Sequence, residues 1–326
     1  MKTADHFTCA ILLSVFLFAA CQAARPPVVG DAQCADIAQK GYVSILDLNV
    51  CYTEVVNLEK NFRHIADFVA QNDVDIILLQ EVVGSEITGM DNSAIELRKI
   101  LLKEHNMRFS ATTAWDLGIS NFFIDGNAIL SRCEIAKTDI KKISTPGNIG
   151  KKQVALSRNV HLAVVSIPGY GNLNVYNTHL CARCKKSERQ SQLERALSWI
   201  EKTNAGSRLA LFGGDMNFDR IINAGAEAFM WEKIIAAGFI DAYANRMIRN
   251  SSETLETLCE DEDNADEHCT KGVTQLDDYN GRRIDYIFTN SPATVRAARV
   301  VFNEMVNSDE PTLSDHAGVF IRLDLP

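Results

Sequence analysis

Apolar runs of strand length that end in polar side chains limit how this chain can fold more than any other feature. The run from Val74 to Leu79 is continuously apolar, which is typical of a strand that is covered on both faces. Gln80 and Glu81 follow it directly. A carboxylate at the end of a buried strand is costly unless it is paired or bound to a cation. The run therefore predicts a covered sheet that ends in a polar site.

Five such motifs recur along the chain, and each closes a strand-like segment. They are Asn49, Glu81, Asn177-Thr178-His179, Gly214-Asp215-Met216-Asn217, and the final pair Arg283-Ile284-Asp285-Tyr286 with Ser314-Asp315-His316. Oxygen ligands, carboxamides and two histidines are the groups that a divalent cation and a phosphate ester require. The motifs favour a metal-dependent hydrolase.

Strand-like and helix-like segments alternate along most of the sequence. Helical spacing predicts helices over Val55 to Val69, Ala94 to His105 and Ala224 to Ala237, and Ser187 with Gln190 predicts a capping box for another helix. Between about residues 108 and 176, short strands with turn signals predict a largely antiparallel stretch. Two sheets packed face to face with helices outside would accommodate all of these elements.

The first residues resemble an export signal rather than part of the fold. Residues 1–24 predict a signal peptide, residues 25–41 an N-terminal segment, and residues 42–326 one catalytic domain without a linker. We therefore expect a secreted or periplasmic protein, with simple cleavage or a lipid anchor at Cys21. A monomer without an obligate protein partner is expected.

The formal charge of -9 is concentrated in one segment, since the acidic residues between Glu253 and His268 account for -8 of it. About -1 remains elsewhere, so the acidity does not exclude an anionic substrate. Cys259 and Cys269 bracket this segment and are the disulfide pair that we expect. The segment is either a solvated loop or a Ca2+ site, and Asn250 begins a glycosylation sequon.

Two of the motifs carry specific chemistry. Gly213 and Gly214 allow a tight turn that presents Asp215 and Asn217 on one side, although a turn without a ligand explains the same pattern. A histidine that acts as a general base needs an acceptor to fix its tautomer, and Asp285 can serve His316 in this way.

Seven motifs in order resemble the endonuclease/exonuclease/phosphatase superfamily, which includes deoxyribonuclease I and secreted sphingomyelinases. The resemblance extends over about residues 42 to 323. Its motifs are Asp47-Leu48-Asn49-Val50, Leu79-Gln80-Glu81-Val82, Gly126-Asn127-Ala128-Ile129-Leu130-Ser131-Arg132, Asn177-Thr178-His179-Leu180, Gly214-Asp215-Met216-Asn217, Arg283-Ile284-Asp285-Tyr286-Ile287 and Ser314-Asp315-His316.

The resemblance implies a four-layer α/β/β/α sandwich of two mixed sheets with helices outside, and phosphoester hydrolysis with Mg2+, or with Mn2+ or Ca2+ in its place. It further implies a role for each matched residue. Glu81, Asn49 and Asp315 would bind the metal. His316 would be the general base, held by Asp285. His179 would stabilise or protonate the phosphate group, and Asp215 and Asn217 would position water and phosphate.

The substrate stays open between two enzyme classes, a nuclease and a sphingomyelinase-type phospholipase C. For nucleic acid, seven cations near the motifs are either contacts to a phosphate backbone or solvated surface charges: Arg132, Arg158, Arg183, Lys185, Lys186, Arg282 and Arg283. Val82-Val83-Gly84 replaces the arginine that deoxyribonuclease I relatives use in the minor groove, which argues against duplex DNA. For a phospholipid headgroup, Phe122-Phe123 could reach a membrane.

A different class is a non-catalytic metal-binding or adhesion protein. The Cys181-Ala182-Arg183-Cys184 pattern suggests zinc only weakly, and a disulfide or two unpaired thiols fit an exported chain better.

Overall fold

A computed structural model describes most of the chain that carries the motifs. It describes residues 26–34, 37–50, 58–84, 92–116, 124–144, 157–205, 209–219, 227–247, 274, 282–290, 294–303 and 313–325. Several predictions therefore fall outside the described residues: the expected signal peptide with Cys21, Phe122-Phe123, Asn250, and the acidic segment with Cys259 and Cys269.

Thirteen strands and six helices form the described part of the fold. The strands are β1 Val28–Val29, β2 Tyr42–Asn49, β3 Ile76–Gly84, β4 Ser110–Trp115, β5 Ile124–Ser131, β6 Glu134–Lys142, β7 Asn159–Ile167, β8 Gly171–His179, β9 Leu209–Asp215, β10 Ile240–Asp241, β11 Asp285–Thr289, β12 Val295–Val301 and β13 Gly318–Asp324. The helices are α1 Ile37–Lys40, α2 Leu58–Gln71, α3 Ser93–His105, α4 Lys186–Thr203, α5 Ala228–Ala236 and α6 Ala242–Met247.

The strands form two mixed sheets. The first sheet has seven strands in the order β1-β4-β5-β3-β2-β13-β12, and the second has six in the order β10-β11-β9-β8-β7-β6. Each sheet contains one parallel pair, β2 with β3 and β8 with β9, and the other neighbours are antiparallel. The predicted antiparallel stretch is confirmed, because β4 to β8 pair in this way within each sheet.

Alternation along the strands produces the inner layer between the sheets. Ile45 and Leu78 of the first sheet share one hydrophobic cluster with Val175 and Leu211 of the second. Because residues two apart lie on the same face of a strand, this inner face continues into polar residues at one end of the molecule. The polar residues at these positions are all buried. They are Asp47, Asn49, Gln80, Asn177, His179 and Asp215.

Helices cover the two outer faces. Phe62 and Val69 of α2 and Leu97 of α3 pack with the outer residues of the first sheet. Leu193 of α4 and Ile234 of α5 pack in the same way on the second sheet. The α/β sandwich with helices outside two packed mixed sheets is thereby confirmed. None of the described helices combines the length and the apolar character that a membrane span requires.

The predicted capping box at the start of α4 is wrong. The helix begins at Lys186 with Lys185 at its N-cap position, so Ser187 already lies inside the first turn. Side chains from the helix fix the preceding turn instead: Gln192 Oε1 accepts from the Cys181 amide at 3.0 Å, and Arg189 Nε donates to the Cys181 carbonyl at 2.8 Å. Tertiary hydrogen bonds, not a local cap, set the helix start.

The N-terminal segment is attached to the first sheet. Val28 and Val29 pair with Thr112 and Ala111, and a disulfide joins Cys34 to Cys133 between β5 and β6. Cys181 and Cys184 are free thiols. Of the two interpretations that suit an exported chain, a disulfide or two unpaired thiols, the structure has the second.

Candidate active site

The site lies where the polar ends of β2, β3, β8, β9 and β11 meet between the sheets. Asn49 Nδ2 lies 3.3 Å from Glu81 Oε1 and 3.1 Å from Asp215 Oδ2, so one carboxamide joins carboxylates from both sheets. The structure therefore brings together motifs that are far apart in the sequence.

A β-bulge directs Glu81 into the site. Leu79 pairs with Ala128, and the next pair is Val82 with Gly126, so β3 contains one extra residue relative to β5. Gln80 lies on the inner side, whereas Val82 already packs in the outer cluster. Glu81 occupies the irregular position with φ 56°, in the left-handed region that side chains other than glycine rarely adopt. Strain of this kind concentrates at functional sites.

The Glu81 carboxylate is poorly solvated and lies near a second carboxylate. Burial raises its pKa above the usual range, the hydrogen bond from Asn49 lowers it, and the charge of Asp315 raises it further. A divalent cation between these groups would neutralise both carboxylates. Carboxylate and carboxamide oxygens suit a hard cation such as Mg2+, so Asn49, Glu81 and Asp315 fit the metal that the sequence predicts.

Asp285 and His316 form a close pair. Asp285 Oδ2 lies 2.9 Å from His316 Nδ1, and both side chains are buried. Burial opposes the charged imidazolium and lowers the pKa of His316. The charge and the hydrogen bond of Asp285, together with the charges of Asp215 and Asp315, outweigh burial and raise this pKa well above its usual value. Nδ1 donates to Asp285 in this arrangement, and Nε2 is the nitrogen directed toward Asp215 and Asp315, at 3.9 Å from each.

The backbone around His316 is fixed by Ser314 and Thr274. Ser314 Oγ donates to the Asn49 carbonyl at 2.7 Å and accepts from the His316 amide at 3.1 Å. Thr274 Oγ1 accepts from the Asp285 amide at 3.1 Å, and its carbonyl accepts from the Ala317 amide at 2.7 Å. The two halves of the Asp285–His316 pair are thus tied to one another and to β2.

Asp215 lies in contact with site residues from both sheets. Its Oδ2 atom lies 3.1 Å from Asn49 Nδ2 and 3.3 Å from His179 Nε2. Burial, together with the charge of Asp285, raises the pKa of Asp215 to about 7. Asp215, Asp285 and His316 also place one ligand atom each within 4.8 Å of one another, which is a second arrangement that could hold a cation.

The predicted tight turn at Gly213 and Gly214 is wrong, because both glycines lie inside β9 and pair with β11; the turn follows at Asp215. Gly214 has φ 127°, and a Cβ there would lie 1.9 Å from the Thr178 carbonyl oxygen, so only glycine fits. Asp215 Oδ1 accepts from the Asn217 amide at 2.8 Å, which is an Asx turn, and Asn217 Nδ2 donates to the Leu180 carbonyl at 3.0 Å. Asn217 itself has φ 51°. The turn therefore connects the ends of β8 and β9.

Asn177 supports the site by connecting the two sheets. Its Nδ2 atom donates to the carbonyls of Leu79 and Ala128, each at 2.9 Å, and its Oδ1 accepts from Gln80 Nε2 at 2.8 Å. All of these groups are buried. Because Leu79 and Ala128 form the last strand pair before the bulge at Glu81, Asn177 also anchors this side of the bulge.

A second group of polar residues lies behind His179, and of these the sequence pointed only to Arg158, as a contact to phosphate or a surface charge. Arg158 Nη1 lies 3.1 Å from His179 Nδ1 and 3.3 Å from Asp116 Oδ2, and Asn159 Nδ2 donates to Asp116 Oδ1 at 2.6 Å. Asp125 Oδ2 is 3.6 Å from the same Arg158 atom. Asp116 follows the end of β4, so the polar strand-end signal that identified the other residues applied to it as well.

Most of the cations considered as backbone contacts are not free surface charges. Arg158 and Arg283 are buried, and Arg283 donates to both oxygens of Asp241 at 2.7 and 2.6 Å. Arg132 pairs with Asp73 and Asp75, and Arg282 lies 3.5 Å from Glu227. Arg183, Lys185 and Lys186 are exposed on the turn after His179. Of the seven cations, the three exposed ones after His179 are therefore the candidates for contacts to a nucleic-acid backbone.

Comparisons with known proteins agree with this arrangement. The sequence matches the profile of the Endonuclease/Exonuclease/phosphatase family over residues 48–316, and the chain belongs to this family. Members of the family hydrolyse phosphoester bonds. Comparison with curated proteins gave no significant match.

Solved structures share the fold at low sequence identity. An endonuclease/exonuclease/phosphatase family protein from Leptotrichia buccalis C-1013-b has a TM-score of 0.64 and 20% identity, covering 86% of this chain and 99% of its own. A protein of the same description from Bacteroides vulgatus has a TM-score of 0.61 and 16% identity, covering 87% and 99%. D. rerio TDP2, complexed with a single-strand DNA product, has a TM-score of 0.55 and 20% identity, covering 86% and 98%.

The cross-sheet role of Asn177 predicts a large loss of stability when it is replaced. Asn177→Ala removes the partner of three buried polar groups, and we expect the free energy of unfolding to fall by about 3 kcal/mol. Asn174→Ala on the same strand is the control, since the Asn174 side chain bonds to Asn204 and Thr203 at the end of α4 and makes no bond to the first sheet among the described residues. Urea denaturation of both variants measures the difference, and equal losses would contradict the cross-sheet role.

Proposed function

We propose that this protein is a divalent-metal-dependent phosphodiesterase that acts on single-stranded nucleic acid. The observation that carries the proposal is the convergence of Asn49 and Glu81 with Asp215, and of Asp285 with His316, at one end of the inter-sheet layer. A cation site and a histidine–carboxylate pair in one place are what hydrolysis of a phosphodiester by water requires.

Each part of the site has a separate task in this proposal. Asp285 fixes the tautomer of His316, whose Nε2 atom faces the site and, in the neutral imidazole, takes a proton from the attacking water. His179 directs Nε2 toward the same region, where it stabilises or protonates the phosphate group. Asp215 and Asn217 hold the turn on which water and phosphate are positioned.

Asn49, Glu81 and Asp315 would hold the metal ion. When bound, a divalent cation supplies positive charge that stabilises the negative charge developing on the phosphate group. Mg2+ is the proposed ion, with Mn2+ or Ca2+ as alternatives.

Three observations support a single-stranded nucleic acid as the substrate. Arg183, Lys185 and Lys186 are exposed on the turn that follows His179 and can contact successive phosphates. Val82 is buried beside Glu81, at the place where relatives that bind duplex DNA carry an arginine. D. rerio TDP2, which shares the fold, has been crystallised with a single-strand DNA product.

Secretion is part of the same proposal. The leader of residues 1–24 supports export, and the disulfide between Cys34 and Cys133 suits an oxidising compartment.

A substrate panel tests both the reaction and the substrate class. We expect hydrolysis of single-stranded DNA or RNA with Mg2+, slower hydrolysis of duplex DNA, and no activity in EDTA. Glu81→Ala should raise the Mg2+ concentration for half-maximal activity by at least about tenfold, whereas exposed Glu59→Ala on α2 should not change it. Sphingomyelin as the best substrate would favour a phospholipase C, and turnover in EDTA would contradict the metal site.

The Asp285–His316 pair predicts a loss of the chemical step. His316→Ala should reduce kcat by about 10²- to 10⁴-fold, because the general base is removed. Asp285→Asn should cause part of this loss, because the amide no longer favours the correct tautomer. His64→Ala, at an exposed position on α2, is the control. Single-turnover hydrolysis measures the effect, and full activity of the His316 variant would refute the assignment.

A further inference from the structure

The contact between Arg158 and His179 defines the protonation of the histidine. Arg158 precedes β7, is buried, and places Nη1 3.1 Å from His179 Nδ1. A guanidinium group has only donors and stays protonated in proteins. Nδ1 of His179 must therefore be the acceptor, and the ring proton must be on Nε2.

The proton on Nε2 points toward the site. His179 Nε2 lies 3.3 Å from Asp215 Oδ2, and the same oxygen accepts a hydrogen bond from Asn49 Nδ2. The imidazole thus has a donor behind it, and its Nε2 atom faces the Asp215 side of the site.

The Arg158 guanidinium is itself fixed before any substrate binds. Asp116 and Asp125 lie behind it at 3.3 and 3.6 Å, and both carboxylates are buried. Asn159 orients Asp116, and the Asn159 carbonyl accepts from Thr178 Oγ1 at 2.8 Å, next to His179. Burial raises the pKa of Asp116 to about 8 and that of Asp125 to about 7, so the two carboxyl groups together balance the single buried cation, and the contact to His179 is pre-organised.

We propose that Arg158 is a positioning residue that keeps His179 as a neutral imidazole with its proton on Nε2, so that His179 gives the phosphate group a hydrogen bond and not a proton. This rests on the proposed phosphodiesterase function. It also decides between the two roles that the sequence left open for His179, stabilisation and protonation.

The charges around His179 are consistent with this role. In the described part of the chain, the charged groups that face it are Arg158 before β7, Asp215 at the end of β9, and His316 before β13. Burial, the charge of Arg158 and then that of His316 hold the pKa of His179 well below its usual value. Asp116 and Asp125 act on His179 only from behind the guanidinium.

Nitrogen NMR of the histidine rings tests the proposal without any assay of activity. In the full-length 15N-labelled protein with Mg2+, the ring correlations of His179, assigned by their loss in His179→Gln, should show the neutral Nε2–H form from pH 5 to pH 8. In Arg158→Met, the donor is absent, and we expect His179 to titrate within this range or to populate the Nδ1–H form. Arg158→Lys retains a cationic donor and should restore the wild-type pattern.

His161 provides an internal control for folding. It is buried, its Nε2 lies 3.3 Å from Thr112 Oγ1, and it does not contact Arg158, so its ring signals should be the same in all variants. If Arg158→Met disturbs His161 as well, the double variant with Asp116→Asn removes the uncompensated carboxylate and repeats the measurement. An imidazolium or Nδ1–H form of His179 in the wild-type protein would overturn the proposal.

Kinetics separate positioning from direct substrate binding. Arg158→Met should lower kcat about 10- to 100-fold, with KM within about twofold of wild type. A raised KM at unchanged kcat would mean that Arg158 contacts the substrate, and would overturn the positioning role. If the wild-type protein hydrolyses no phosphodiester, the proposed function fails, and the NMR measurement still decides the tautomer.

Discussion

The buried carboxylate of Asp215 is the interaction on which the rest of the site depends. A charge in this position is unfavourable unless polar groups surround it, and the fold supplies them from several strands. Asn49 comes from the first sheet, whereas His179 comes from the second and lies at the end of a parallel neighbour of β9. The position of Asp215 therefore fixes the relative positions of the two sheets at this end of the molecule.

Backbone strain is the cost of this convergence. Glu81 and Asn217 both have positive φ angles, and Gly214 has a conformation and a clearance that exclude a side chain. Such conformations persist when surrounding contacts determine them. Here Asn177 holds the carbonyls of the pair Leu79 and Ala128 that precedes the Glu81 bulge, and the Asx turn holds Asn217. Stability and site geometry are thus provided by the same hydrogen bonds.

The sandwich could be predicted from the sequence because its elements are periodic. A continuously apolar strand such as Val74 to Leu79, and alternation up to Asn177 and His179, indicate buried strands with polar ends. The order of the motifs then identified the family. The bulge at Glu81 could not be predicted, because it is a shift of one residue between two strands that are distant in sequence.

The missed residues have a similar explanation. Arg158 was considered as a cation at the surface, but its burial depends on carboxylates from β4 and β5 that only the folded chain brings near it. The start of α4 was placed wrongly because the side chains of Arg189 and Gln192 outweigh a local capping signal. In each case the deciding contact joins a side chain to a segment outside its own helix or strand.

We propose that Glu81, with Asn49 and Asp315, binds the metal, whereas Asp215, Asp285 and His316 remain free of it to position and move protons. Anomalous diffraction from a crystal soaked in Mn2+ distinguishes these two sets of residues. We predict one peak within coordination distance of the Glu81 carboxylate. A peak coordinated by Asp215, Asp285 and His316 without Glu81 would contradict it.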